Sequence, residues 1–255
     1  MILRRFMKHT KEQNWFAVGL DVIVVVVGIF LGMQVTEWND DRKERDTERQ
    51  YLIRLLEDAE TNKKDLSSLI THFSRQVEAI EVLDQTTSSK NLPEDKFELV
   101  ERGVYSLLSF PSIRFRYGTV GELLSAGKMD IIQDKEIKTL LLEQNSLYEF
   151  VMTQHRDFRL FLIDKQEQYD SYTIYKSMPG KIRPRMVFDF TELASSDEFR
   201  TIINNSLLLQ RLMLDYRNNQ QELNMELIKR LECNIDKIPC EPVNNNYKRN
   251  LLILD

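Results

Sequence analysis

The sequence predicts an all-α protein, with one N-terminal transmembrane helix continuing into a charged stalk and an elongated antiparallel helical bundle. Three observations carry that prediction. Residues 16–35, FAVGLDVIVVVVGIFLGMQV, hold only Asp21 and Gln34 as strongly polar side chains. Across 255 residues there are 8 glycines and 6 prolines, too few for a turn-rich sheet protein. From residue 52 onward, apolar residues recur at spacings of three and four, the period of a helix with one buried face.

The order of segments follows from composition. Residues 1–15 form a short tail, 16–36 the transmembrane helix, 37–232 the stalk and bundle, and 233–255 a C-terminal tail. At about 1.5 Å of rise per residue the apolar run is about 30 Å long, the thickness of a bilayer's hydrocarbon core. Trp15 and Trp38 bracket it as interfacial anchors, because indole rings prefer the headgroup region. A cleaved signal peptide would need a shorter apolar core, roughly 7–15 residues, and a small-x-small site. Gln34, Val35, Thr36, Glu37 and Trp38 supply no such site, so an uncleaved signal-anchor is expected.

Orientation cannot be taken from the flanking charges. Arg4, Arg5, Lys8 and Lys11 precede the span and Arg42, Lys43, Arg45 and Arg49 follow it, a tie under the positive-inside rule. The cysteines tip the balance. Cys233 and Cys240 lie in CNIDKIPC, a Pro-containing stretch expected to be non-helical, where a disulfide would close a small loop and suit an oxidising compartment. Two free thiols in a cytosolic domain are the alternative. The expectation is a bacterial inner-membrane protein, N-terminus cytoplasmic and main domain periplasmic.

Past the charged stretch EWNDDRKERDTER, which lacks Gly and Pro, a seam runs through Leu52, Leu55, Ala59, Asn62, Leu66, Leu69, Phe73, Gln76, Ile80 and Leu83. The polar run QTTSSKN ends that helix. Pro93 suits the first turn of a second helix with Phe97, Val100, Val104 and Leu107 or Leu108 on its face, stopped by Pro111. Thr119 and Glu122 read as a capping box, with Gly127 placed to end the turn left-handed. Asp134 then caps a long helix whose seam, Ile137 to Tyr172, passes through Gln144, Tyr148, Val151 and His155. Residues 177–195 are an irregular connection with MVFDF as a short extended piece. Ser195 and Glu198 form a second capping box ahead of a last helix, read through Phe199, Ile202, Ser206, Leu209, Met213, Tyr216, Gln220, Leu223 and Leu227.

Chemistry is sparsely represented. There is no G-x-S-x-G, H-E-x-x-H, Walker loop, G-x-G-x-x-G or C-x-x-C, and hence no expected catalytic, cofactor or metal site. His9, His72 and His155 lie far apart in the chain; His155 falls on a seam, as a hydrogen-bonded core histidine would, and His72 beside one. A net charge of −5 gives no basic face for nucleic acid. The basic loop Lys176, Lys181, Arg183 and Arg185 reads as a solvated face first and a contact for anionic head groups second.

The span itself is more informative. Gly28 and Gly32 form a GxxxG pair that lets two helices pack closely, so a homo-oligomer is expected. Asp21, seven residues before Gly28, shares that face, and a carboxyl in hydrocarbon costs a few kcal/mol. It serves either to fix helix register in an oligomer or to carry a proton, as in single-pass energy-coupling subunits with the same layout.

One further pattern concerns Asp21, Gly28-Ile29, Gln34, Trp38-Asn39, Tyr51-Leu52, Leu55-Leu56-Glu57-Asp58 and the later block TVGELLSAGKMDII, Thr119 to Ile132. Over residues 15–160 this resembles a family of bacterial single-pass membrane proteins catalogued as a domain of unknown function. Asp21 stands where a glutamate is the form associated with that family. The resemblance implies a membrane-anchored helical domain and no activity. The functional expectation is therefore a membrane-anchored interaction or sensory protein without catalysis. Its partners would be the bilayer, a second copy and a further membrane protein. The alternative is an ion-coupled or channel-like subunit working through Asp21.

Overall fold

A computed structural model describes residues 15–111, 115–177, 179–180 and 185–243. The described residues are overwhelmingly helical, with seven α-helices and one two-stranded hairpin. Helix α1 runs unbroken from Trp15 to Ser89, 75 residues with no Pro, and Lys90 ends it at a φ of 51°. The chain divides into two units after Tyr51. In the first, the large apolar side chains from Leu20 to Val35 are all exposed, and the helix is long and apolar enough to cross a membrane.

The second unit is built on three long helices: α1 from residue 52, α4 (Lys135–Asp164) and α7 (Asp197–Asp236). Their hydrogen bonds fix the directions. Ala59 O accepts from Asn224 Nδ2 at 2.8 Å, Ser67 Oγ from Gln221 at 2.9 Å, and Glu81 pairs with Arg211, so α7 is antiparallel to α1. Asp134 pairs with Arg230 and Gln144 with Asn224, so α7 is antiparallel to α4 as well. Every seam position predicted on α1, from Leu52 to Leu83, is buried. That agreement follows from one stripe of apolar side chains having two helices to bury against.

Shorter elements close the bundle. Helix α2 (Phe97–Ser106) follows a 3-10 turn, Glu94–Lys96, with Pro93 at its cap, and ends five residues before Pro111. Helix α3 (Gly118–Ser125) ends at Gly127 with a φ of 63°, as expected. The cap of α3 differs from the capping box: Thr119 lies inside the helix, its N–H and hydroxyl donate to Asp58 of α1, and Glu122 pairs with Arg54. The long helix predicted from Asp134 to Tyr172 breaks at Lys165 into α4 and α5 (Gln166–Tyr172).

Strands β1 (Ile174–Lys176) and β2 (Arg185–Val187) pair antiparallel, so only the first part of MVFDF is extended. Phe190 opens α6 (Phe190–Ser195), capped by Asp189. Ser196, one residue after the predicted cap, is the N-cap of α7 and accepts from Phe199 N at 3.1 Å. Helix α7 runs to Asp236, so Cys233 sits in its last turn, inside the stretch expected to be non-helical.

At Gly103, α2 approaches α1 closely. A Cβ on Gly103 would sit 2.5 Å from the carbonyl oxygen of Ala79 and 2.9 Å from Leu83 Cβ. Alanine favours a helix over glycine by about 1 kcal/mol, but overpacking against backbone costs typically 1–3 kcal/mol. Gly103→Ala is expected to lower stability by about 1 kcal/mol or more in chemical denaturation; a stabilised variant would show that the helices separate freely there.

Candidate functional site

Midway along the three helices the core becomes polar, and the cause is the segment 106–111. It leaves the end of α2, where the last carbonyls of a helix lack intrahelical donors, and enters the bundle. Each long helix meets it with a side chain. From α7, Ser206 Oγ donates to Leu107 O at 2.7 Å, and Gln210 Nε2 donates to Ser106 O and Ser109 O at 2.8 and 3.0 Å. From α1, Gln76 Nε2 reaches Ser109 O at 3.4 Å. From α4, His155 lies against the backbone of Phe110 and Pro111, which favours its protonated form. A second tie lies further along the bundle, where Asn62 holds Arg116 by two backbone bonds at 2.6 and 2.9 Å.

Arg217 on α7 is the exception to this matching. Its side chain is among the largest that are fully buried, 1% exposed, and Nη1 donates to Gln220 Oε1 at 2.8 Å. Nε and Nη2 have no acceptor among the described residues. Burial pushes the guanidinium down to about 10, partly offset by Tyr148, so it stays charged at neutral pH. Burial and then the Arg217 charge hold His155 below its usual range, against the backbone groups that favour its protonation; its imidazole is neutral at pH 7, and Nε2 has no partner among the described residues.

Phe110 packs on His155 with ring centroids 5.4 Å apart, and edge-on to Phe73 and Phe158. Phe110 also lines a cleft of about 340 Å³, together with Leu108, Arg159, Leu162, Ile163 and Gln166. Tyr148 lies between the rings of Phe115 and Tyr117, at 5.3 and 5.7 Å, and the hydroxyl of Tyr117 donates to Asn145.

The predicted site residues fall elsewhere. Asp21, Gly28 and Gly32 are on the exposed part of α1; a Cβ on either glycine would meet nothing within 4 Å. Trp38 is exposed, and Trp15 is the first residue of α1. Cys233 and Cys240 are joined in a disulfide with Cα atoms 5.4 Å apart. His155 is buried on its seam as expected, whereas His72 is exposed. His9, Lys181 and Arg183 lie outside the described residues. Among the described residues no cluster of three His, Cys, Asp or Glu side chains could hold a metal ion.

Sequence reasoning missed Arg217, although a signal was there. Ile203, Ser206, Gln210, Met213, Arg217, Gln220, Asn224, Leu227 and Leu231 alternate by three and four, and all are buried. Choosing the apolar stripe through Leu209, Tyr216 and Leu223 favoured the neighbouring rows. No known family, curated protein or solved structure matches the chain.

Arg230 shows how the bundle treats an arginine that has a partner. Its Nε and Nη2 grip Asp134 Oδ2 at 2.9 and 2.7 Å, while the other oxygen of Asp134 caps α4 through Glu136 N and Ile137 N. Burial alone would raise the Asp134 carboxyl, but the Arg230 and backbone bonds, with the Arg230 charge, outweigh it and hold the group below its ordinary 3.8. A carboxyl with a depressed folded value stabilises fully above its unfolded value and loses that contribution as pH falls through the folded one. Stability should therefore drop below about pH 4 in the wild type and do so less steeply in Asp134→Asn, measured by urea denaturation across pH. Asp134→Ala is expected to cost about 2 kcal/mol at pH 7, from the lost cap and the stranded Arg230.

Proposed function

We propose that this is a single-pass membrane protein of the interaction or sensory kind, without catalysis of its own. The observation that carries the reading is α1, one unbroken helix supplying both an exposed apolar run of bilayer length and a seam of the bundle. The disulfide favours an oxidising compartment for the bundle, hence a periplasmic main domain and a cytoplasmic N-terminus at the bacterial inner membrane. The open surface at Gly28 and Gly32 suits a second copy of the helix, and the same face would serve another membrane protein. The resemblance to single-pass proteins of unknown function points the same way.

A second reading rests on Asp21, the one acid in the apolar run. There the chain is an ion-coupled or channel-like subunit, and Asp21 takes up and releases a proton.

Two measurements separate these. A reporter active only outside the cytoplasm, fused after Asp255, is expected to be active; activity of a cytoplasm-only reporter instead would reverse the topology. Asp21→Asn is expected to weaken cross-linked oligomers in the membrane. Intact oligomers together with loss of the cellular phenotype of a deletion would transfer support to ion coupling.

A further inference from the structure

Arg217 presents a particular edge. Nη1 is engaged by Gln220, and the two donors without an acceptor among the described residues are Nε and Nη2, whose N–H bonds run parallel. Arg230 uses the same two nitrogens on Asp134 in the same bundle, where both converge on the single oxygen Oδ2. A guanidinium stays charged at neutral pH, and burying it without an anion or full hydrogen bonding costs several kcal/mol. Among the described residues no ion pair joins Arg217 to a carboxylate, and the titratable side chains that act on it or on His155 include Tyr148 and the cationic Arg159. The local field is thus positive, and Phe110, which packs on His155, lines a cleft together with Arg159.

We infer that the Nε and Nη2 edge of Arg217 is a binding site for a small carboxylate ligand within the three-helix core. The two oxygens of a carboxylate match the two parallel donors, which a spherical halide cannot do equally well. This inference rests on the reading of the bundle as a sensory domain and supplies its ligand class. Its failure would leave the topology and oligomer tests above untouched.

The experiment uses the full chain in detergent, dialysed exhaustively, with thermal unfolding followed by circular dichroism. Sodium formate and sodium acetate are titrated against sodium chloride at equal ionic strength. A saturable rise of roughly 5 °C at a hundredfold excess over the dissociation constant is expected for the carboxylates and not for chloride. Should the protein retain an acid through dialysis, one equivalent of a small organic acid is released on denaturation and detected by mass spectrometry, which supports the proposal equally. Arg217→Lys, which keeps the charge and loses the fork, is expected to abolish the preference over chloride, and Arg217→Met to abolish the response altogether. The imidazole signals of the 3 histidines give an independent readout, since a bound carboxylate cancels the Arg217 charge and moves the His155 titration upward. No carboxylate-specific shift together with no released acid, or the same shift in Arg217→Met, overturns the proposal.

Discussion

A peptide segment that enters a helical core has to find donors for its carbonyls, and the polar belt of this bundle follows from that requirement. The segment 106–111 interrupts packing that would otherwise be apolar; Ser206 and Gln210 of α7 and Gln76 of α1 answer its carbonyls, and His155 of α4 lies against its end. An unanswered buried carbonyl costs about 1–3 kcal/mol, so these side chains are bound to the segment's path rather than to any reaction. The belt in turn fixes register. Glutamine at positions 76 and 210 meets Ser109 O only if α1 and α7 keep their present offset, so slippage by one turn would strand several carbonyls together.

On either side of the belt, ordinary apolar packing resumes. Val77, Ile80 and Leu83 of α1 join Val100 and Val104 of α2 and Phe199, Ile202 and Ile203 of α7 in one buried cluster. The hairpin is drawn into it through Met186, whose sulfur accepts from the Tyr169 hydroxyl. Burial and the neighbouring Tyr175 raise the Tyr169 phenol far above its usual range, so it stays neutral, its one O–H shared between Val104 O and Met186 and its oxygen beside the Tyr175 hydroxyl. Tyrosine therefore does here what glutamine does in the belt. It satisfies backbone while filling volume.

How much of this was legible in the chain depends on which physical signal wrote it. The long apolar helix near the start, the seam of α1 from Leu52 to Leu83, the Asp134 cap and the left-handed Gly127 all stem from local chemistry, and each is read directly from spacing or residue type. The cap of α3 went astray because its donors and acceptor are settled by tertiary placement, whereas that of α7 is local and merely falls on Ser196 instead of the adjacent Ser195. Asp58, sixty-one residues before Thr119, occupies the cap that a local Thr and Glu would have shared. The break at Lys165 interrupts a stripe that continues on both sides, so periodicity alone ran through it. Arg217 stayed hidden for the opposite reason. A charged residue on a helical repeat is assigned to solvent by any rule that equates burial with apolarity, and only the matching polar row of Gln210, Gln220 and Asn224 marks it as core.

Arg217 is a buried ionisable group, and Asp21 would be one in poor solvent in the proposed membrane span, yet the two face different constraints. A carboxyl can escape its desolvation cost by taking up a proton, after which it is a neutral donor able to bond a neighbouring helix; this is why Asp21 admits both a packing and a proton-carrying role. Guanidinium has no comparable exit near pH 7, because even after burial its affinity for the proton remains about 10. It therefore has to be met from outside itself, by an acceptor of matching shape. In Arg230 that acceptor is Asp134, whose carboxylate lies within the chain and is fixed by the start of α4. Arg217 carries the same fork one face of α7 and several turns away, in a stretch where the surrounding helices offer amides, rings and further positive charge. The chemistry that completes it is accordingly that of an anion the polypeptide does not encode.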